Sequence, residues 1–167
     1  MLPFVSDLLP CAIMRVYILT VLALCFLSCV PVEQRGKVVK VVDGDTFDIL
    51  DVNTTTRIRL FGIDAPERGQ AHNKRAKAFV DSLVAGKQIR VVVRNKDRYG
   101  RTVGDAYLSD GTYVNAEIVR AGYAWQFRQY STDPEIERLE RAARSHRRGL
   151  WEDPQAIPPW EFRKGKR

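Results

Sequence analysis

The chain has 167 residues, 45% of them hydrophobic and 28% charged, with a formal net charge of +7; this is enough for one domain with its own core and excludes disorder throughout. Its cysteines, Cys11, Cys25 and Cys29, all lie near the N-terminus, which excludes a disulfide framework, a cysteine zinc site and a cysteine nucleophile from the remainder. With His72 and His146 as the only histidines, any metal must rest mainly on oxygen ligands, as calcium and magnesium do, and the basic balance favours a polyanionic partner.

Residues 1–32 differ from the rest of the chain. Arg15 precedes an uncharged apolar run, Val16 to Leu27, that ends in Ser28-Cys29. A basic residue, a run of this length and a small residue before a cut site read as a secretory signal, and the run is short for a membrane span. Met14-Arg15 would also make a signal-peptide start, so residues 1–13 read as a misassigned extension. Phe26-Leu27-Ser28-Cys29 resembles the lipobox of bacterial lipoproteins, with Cys29 as the lipidated residue and membrane anchor. Export to the cell envelope or beyond is the expectation; a plain signal peptide and an uncleaved anchor are the alternatives to lipidation. Residues 30–36 read as a linker, residues 37–151 as the folded domain, and residues 152–167 as a Pro-rich, basic strap with too many prolines for a helix.

Lys37–Val42, Phe47–Asp51, Arg57–Ile63, Lys87–Arg94 and Thr102–Leu108 are β-rich runs, with turn signals at Gly44-Asp45, Asn53-Thr54 and Asp110-Gly111. Ile89, Val91 and Val93 alternate with Arg90, Val92 and Arg94. Ile58 and Leu60 share one face, with Arg59 and Phe61 on the other, so Arg59 need not enter the main core. Three helices follow from periodicity and stop signals. Ala76, Phe79, Val80, Leu83 and Val84 mark one buried face, with Gly86 at its end. A second helix follows Asn115, carries Ile118 and Val119, and stops at Gly122. The third starts at Thr132-Asp133-Pro134-Glu135, turns Ile136, Leu139 and Ala143 inward, and ends near Gly149. This order suits a five-stranded barrel of the oligonucleotide-binding type flanked by three helices, an α+β arrangement.

Asp45, Asp64 and Glu67 stand near strand ends and offer the oxygen ligands and charge a hard cation needs. Taken alone, Asp43-Gly44-Asp45-Thr46 reads as a hairpin turn and Asp64-Ala65-Pro66-Glu67 as the start of a loop. Arg59 and Arg101 are suited to phosphate, because a guanidinium presents paired donors and stays charged. In Arg98-Tyr99-Gly100-Arg101 a glycine turn would aim its flanking side chains, and Tyr99 could stack on a base or sugar.

The order and spacing carry a resemblance. Asp43-Gly-Asp-Thr, Arg59-Leu-Phe-Gly-Ile-Asp-Ala-Pro-Glu67, Asp97-Arg-Tyr-Gly-Arg101 and Asp110-Gly-Thr-Tyr-Val-Asn-Ala-Glu-Ile-Val-Arg-Ala-Gly122 together resemble the staphylococcal nuclease (thermonuclease) family, from about Val38 to Trp151. The resemblance implies an oligonucleotide-binding barrel with three helices. It implies calcium held by Asp45, Asp64 and the backbone carbonyl of Ala65, and Glu67 orienting or deprotonating the attacking water. It further implies that Arg59 and Arg101 bind the scissile phosphate of DNA or RNA and that products carry 3′-phosphates. The family's type member has threonine at Ala65 and lysine at Arg98; its nucleotide-contacting tyrosines align near Arg128 and Tyr130. Arg98, Tyr99 and Tyr130 are therefore the substrate-binding candidates, and base preference is the property these departures touch.

The residues agree with that chemistry. Phosphodiester hydrolysis needs an aligned water, which a carboxylate supplies, and stabilised charge on phosphate oxygens, which a cation and two arginines supply. Two carboxylates and a carbonyl predict weak calcium binding, with Kd roughly 10⁻⁴–10⁻³ M, as suits a site outside the cytosol. The expected protein is an exported, monomeric, calcium-dependent nuclease without sugar preference. A non-catalytic nucleic-acid-binding module on the same barrel is the alternative, and a structural lipoprotein holding envelope polyanions is a third. Neither alternative gives a reason for acids facing a phosphate.

Overall fold

Five runs rich in β-branched residues form the strands of a closed barrel: β1 (Glu33–Asp43), β2 (Thr46–Asp51), β3 (Thr54–Leu60), β5 (Gln88–Lys96) and β6 (Thr102–Leu108), ordered β1-β2-β3-β6-β5. The computed structural model describes residues 31–165. The export segment and Cys29 lie outside the described residues.

The long strand β1 closes the barrel by pairing with both β5 and β2; residues 33–36, expected to be linker, are its first residues and pair with β5. Gln34 lies opposite Val91, and Val41 opposite Phe47. Its register shifts between Val38 and Lys40 and again between Val41 and Asp43, and such bulges bend a strand enough to turn a barrel corner. All barrel pairs are antiparallel except β3 with β6, where Arg59 aligns with Val103. Period-two alternation sends Phe47, Ile49, Ile58, Leu60, Val91 and Ala106 inside, each at most 1% exposed. Each large side chain so buried stabilises the fold by about 1.5–3 kcal/mol.

The expected strand Arg57–Ile63 is in fact two. β3 ends at Leu60; Gly62 then takes φ +71°, where an added Cβ would lie 2.6 Å from the Ser131 Cβ. That left-handed glycine redirects the chain. The next two residues, β4 (Ile63–Asp64), leave the barrel and pair with β7 (Trp125–Gln126), Ile63 opposite Gln126 and Asp64 opposite Trp125.

Helix α1 (Asn73–Val84) buries Ala76, Val80 and Val84, as its periodicity predicts. Helix α2 (Val114–Arg120) starts one residue before Asn115 and is stopped by Gly122 at φ +77°. Helix α3 (Pro134–Ser145) is capped by Asp133, whose carboxylate accepts the Glu135 N–H at 2.8 Å, a contact that stabilises a helix by about 1 kcal/mol. It turns Ile136, Leu139 and Ala143 into the core. A 3₁₀ turn, Gly149–Glu152, comes next, with Trp151 edge-on to Trp125 at 5.2 Å.

The C-terminal strap requires correction. Residues Pro159–Gly165 form a fourth helix, α4. Pro159 occupies its first position, where the missing N–H has no intrahelical partner to lose and the fixed φ suits a helix. The prolines therefore start this helix rather than prevent it.

Candidate active site

Asp45 ends the β1–β2 turn. Its N–H donates to Asp43 Oδ1 at 3.2 Å, so Asp43 shapes the turn that presents Asp45. Gly44 is needed at the apex because an added Cβ would lie 2.7 Å from the Ala65 Cβ and 3.0 Å from the Ala76 Cβ. Asp64 ends the β4 excursion with its side chain 2% exposed. The Ala65 N–H donates to Asp45 Oδ2 at 2.7 Å, joining the two segments across twenty residues of sequence.

One guanidinium gathers these acids. Arg59 Nη1 lies 3.1 Å from Asp45 Oδ2 and Nη2 2.9 Å from Asp64 Oδ1. Nη1 also donates to the carbonyls of Leu60 and Ile63, both at 2.9 Å. Arg59 thus holds the β3–β4 corner as well as the carboxylates. The acids repel one another. Burial and the neighbouring Asp45 charge push Asp43 up to about 7. Burial likewise raises Asp64, with Asp45 adding to the shift and hydrogen bonds from arginine opposing it. Such a set gains from any further cation placed among it.

The same donors fit a hard divalent ion. Asp45 and Asp64 supply buried carboxylate oxygens beside each other, and Ala65 follows Asp64 in the chain with its own N–H on Asp45. No group of three or more His, Cys, Asp or Glu residues with metal-binding geometry occurs among the described residues; the two carboxylates and the carbonyl that the resemblance implies would leave room for water and a phosphate oxygen. Glu67 stands nearby, its side chain 39% exposed and its N–H donating to Gln70 Oε1 at 3.0 Å.

A groove of about 700 Å³ runs over these residues, and its lining includes Asp45, Arg59, Asp64, Glu67, Arg98, Tyr99, Arg101 and Tyr130. Nearly every side chain singled out in the sequence therefore reaches one surface. Arg101 is aimed by the Asp97 turn: its Nε donates to Asp97 Oδ2 at 2.6 Å and its N–H to Oδ1 at 3.0 Å. Burial disfavours the Asp97 charge, but these hydrogen bonds outweigh it and lower its pKa. Arg98 and Arg101 both lie over the Tyr99 ring, at 4.9 and 5.6 Å. Tyr130 meets Phe127 edge-on at 4.9 Å. Tyr99 and Tyr130 are largely exposed, as stacking platforms must be. Arg128 is engaged elsewhere, by Glu140 at 3.3 Å and Glu137 at 3.8 Å on α3.

Residues 57–153, more than half of the chain, match the family model described as staphylococcal nuclease homologue. The chain belongs to the staphylococcal nuclease family. Among its relatives, an uncharacterized endonuclease of Escherichia coli O157:H7 is 44% identical over 153 residues, covering 92% of this chain and 100% of that protein. The micrococcal nuclease of Shigella flexneri is 41% identical over 145 residues, covering 81% and 83%. An uncharacterized endonuclease of Haemophilus influenzae is 36% identical over 154 residues, covering 90% and 86%.

One site residue of this family member escaped the sequence reading. Arg163, on α4, places Nη2 2.8 Å from Asp64 Oδ2 and Nη1 against Glu67 Oε1. Its local signal was Pro158-Pro159 ahead of Trp-Glu-Phe-Arg-Lys, a proline start followed by residues compatible with a helix. Nothing in that stretch indicated where the helix would pack.

Proposed function

We propose that this nuclease is an exported, calcium-dependent enzyme that cuts DNA and RNA and leaves 3′-phosphate products. The observation that carries this reading is the convergence of Asp45 and Asp64 on the single guanidinium of Arg59, at 3.1 and 2.9 Å, in a groove shared with Glu67 and Arg101. A non-catalytic binding surface needs basic and aromatic groups; it has no use for buried acids beneath the phosphate track.

In this reading Asp45, Asp64 and the Ala65 carbonyl would hold calcium, which when bound supplies positive charge to a phosphate oxygen. Glu67 accepts a proton from a water aligned with phosphorus. That water forms the new P–O bond while the bond to the 5′ oxygen breaks; the 5′ oxygen takes up a proton from solvent to leave as a hydroxyl, and the phosphate stays on the 3′ side. Arg59 and Arg101 stabilise the charge that grows on the non-bridging oxygens, their planar donors matching two oxygens at once. Arg98, Tyr99 and Tyr130 bind the flanking nucleotides by charge and stacking. The net charge of +7 supports sequence-independent attraction to the substrate. We take the protein to work as a monomer outside the cytosol, with Cys29 as a lipid anchor.

Incubating the full chain with plasmid and with RNA, each with calcium and with a chelator, tests the reading. Cleavage with calcium alone and phosphorylated 3′ ends are expected. No cleavage under any divalent ion, or 5′-phosphate products, would overturn it. Lipid labelling that persists in Cys29→Ala would exclude Cys29 as the attachment point.

A further inference from the structure

Both oxygens of Asp64 are taken by arginine. Oδ1 accepts from Arg59 Nη2 at 2.9 Å and lies 3.4 Å from Arg163 Nη1; Oδ2 accepts from Arg163 Nη2 at 2.8 Å. The second arginine also bridges to Glu67. Arg163 therefore sits on one carboxylate assigned to calcium and on the carboxylate assigned to the attacking water.

This contact is built rather than incidental. Helix α4 is held by the Trp160 ring, stacked on Phe127 at 5.4 Å with the two planes 1° apart. Phe127 is itself fixed beside the site, its N–H donating to the Gly62 carbonyl at 2.8 Å. Pro159 is buried, and Gln70 Nε2 donates to the Ile157 carbonyl just ahead of the helix. The Arg163 side chain is 40% exposed, so it can swing into solvent without disrupting the barrel. Asp64, by contrast, is nearly sealed, with its side chain 2% exposed.

We propose that Arg163 is a built-in competitor for the divalent cation: docked by α4, it covers Asp64 and Glu67, and the cation must displace it from Asp64 before the site is competent. The proposal rests on the calcium reading above. A cation and Arg163 would compete for Asp64 Oδ2, so the apparent cation affinity is reduced to the fraction of molecules in which Arg163 has let go. The C-terminal helix thus sets how much cation the nuclease requires.

The test is calcium titration into the full-length wild type, Arg163→Ala and Trp160→Ala by calorimetry without substrate, alongside plasmid cleavage across calcium concentrations. Arg163→Ala is expected to bind calcium about 5–30-fold more tightly and to reach half-maximal cleavage at correspondingly less calcium. Trp160→Ala, which keeps the arginine and loosens its helix, should shift in the same direction by less. Equal or weaker calcium affinity in Arg163→Ala would overturn the proposal. So would unchanged calcium affinity with a raised KM for DNA, the signature of a phosphate contact. If neither wild type nor Arg163→Ala bound any divalent ion while both cut DNA, the calcium reading itself would fail and take the proposal with it.

Discussion

The Asp45 carboxylate accepts the backbone N–H of Ala65 at 2.7 Å, so the two acid-bearing segments of the site are locked by a hydrogen bond between a side chain of one and the main chain of the other. Asp45 thereby has two tasks, one structural and one electrostatic. Asp45→Asn retains an oxygen acceptor for Ala65 but removes the charge. It should fold normally and bind calcium about 10–100-fold more weakly, measured by calorimetry, because affinity at such sites follows the number of charged ligands. Unaltered calcium affinity would remove Asp45 from the cation site.

Glu67 differs from Asp45 in its exposure and in carrying Arg163 on its carboxylate. Glu67→Gln should lower kcat by about 10²–10⁴-fold, the loss expected for a positioned base. Calcium affinity should not fall, since Glu67 is assigned to water rather than to the ion. An unchanged rate at saturating calcium would take Glu67 out of the mechanism.

Asp97 carries a pH signature. Its folded pKa lies below the ordinary value of 3.8, because hydrogen bonds from Arg101 and Tyr99 outweigh the burial that opposes ionisation. Between the two values the unfolded chain binds more protons, so stability rises with pH there. The contribution is complete above 3.8 and disappears as pH falls through the lower folded value. Asp97→Asn should therefore melt below wild type at neutral pH, with the gap closing in strong acid. Since the same carboxylate aims Arg101, kcat/KM should also drop, by roughly tenfold. A melting gap that stays constant with pH would show that the charge is not what stabilises the turn.

Asn115 is fully buried and joins three elements. Its Oδ1 accepts the Ala106 N–H of β6 at 3.1 Å, and its Nδ2 donates to the Phe61 carbonyl at 2.9 Å, beside the Gly62 turn. Asn115→Ala leaves both backbone groups without that partner, at about 1–3 kcal/mol each. Denaturant unfolding should show a loss of at least about 1 kcal/mol by the same reasoning. Because Phe61 leads into Asp64, calcium affinity should weaken as well; a stable variant with normal affinity would show that Asn115 does not support the site.

Much of this protein is local and was therefore legible. Alternation in Ile89 and Val91, and the 3.6-residue spacing of Ala76, Val80 and Val84, report which face is buried, because strand and helix geometry repeat within a few residues. Gly122 and Asp133 mark a helix stop and start for equally local reasons. The acids and arginines of the site were visible because they occupy strand ends and turns and keep a family order along the chain. Other features depend on where the chain returns after long separation. Gly62 split a run that reads as one continuous strand, because its left-handed backbone sends Asp64 toward Trp125. Arg128 turned to the α3 acids instead of the groove. Arg163 reached Asp64 from 99 residues downstream. Periodicity records how a segment is half-buried, not what buries it; tertiary packing alone decided that a short proline-led helix would put an arginine on the carboxylates at the centre of the site.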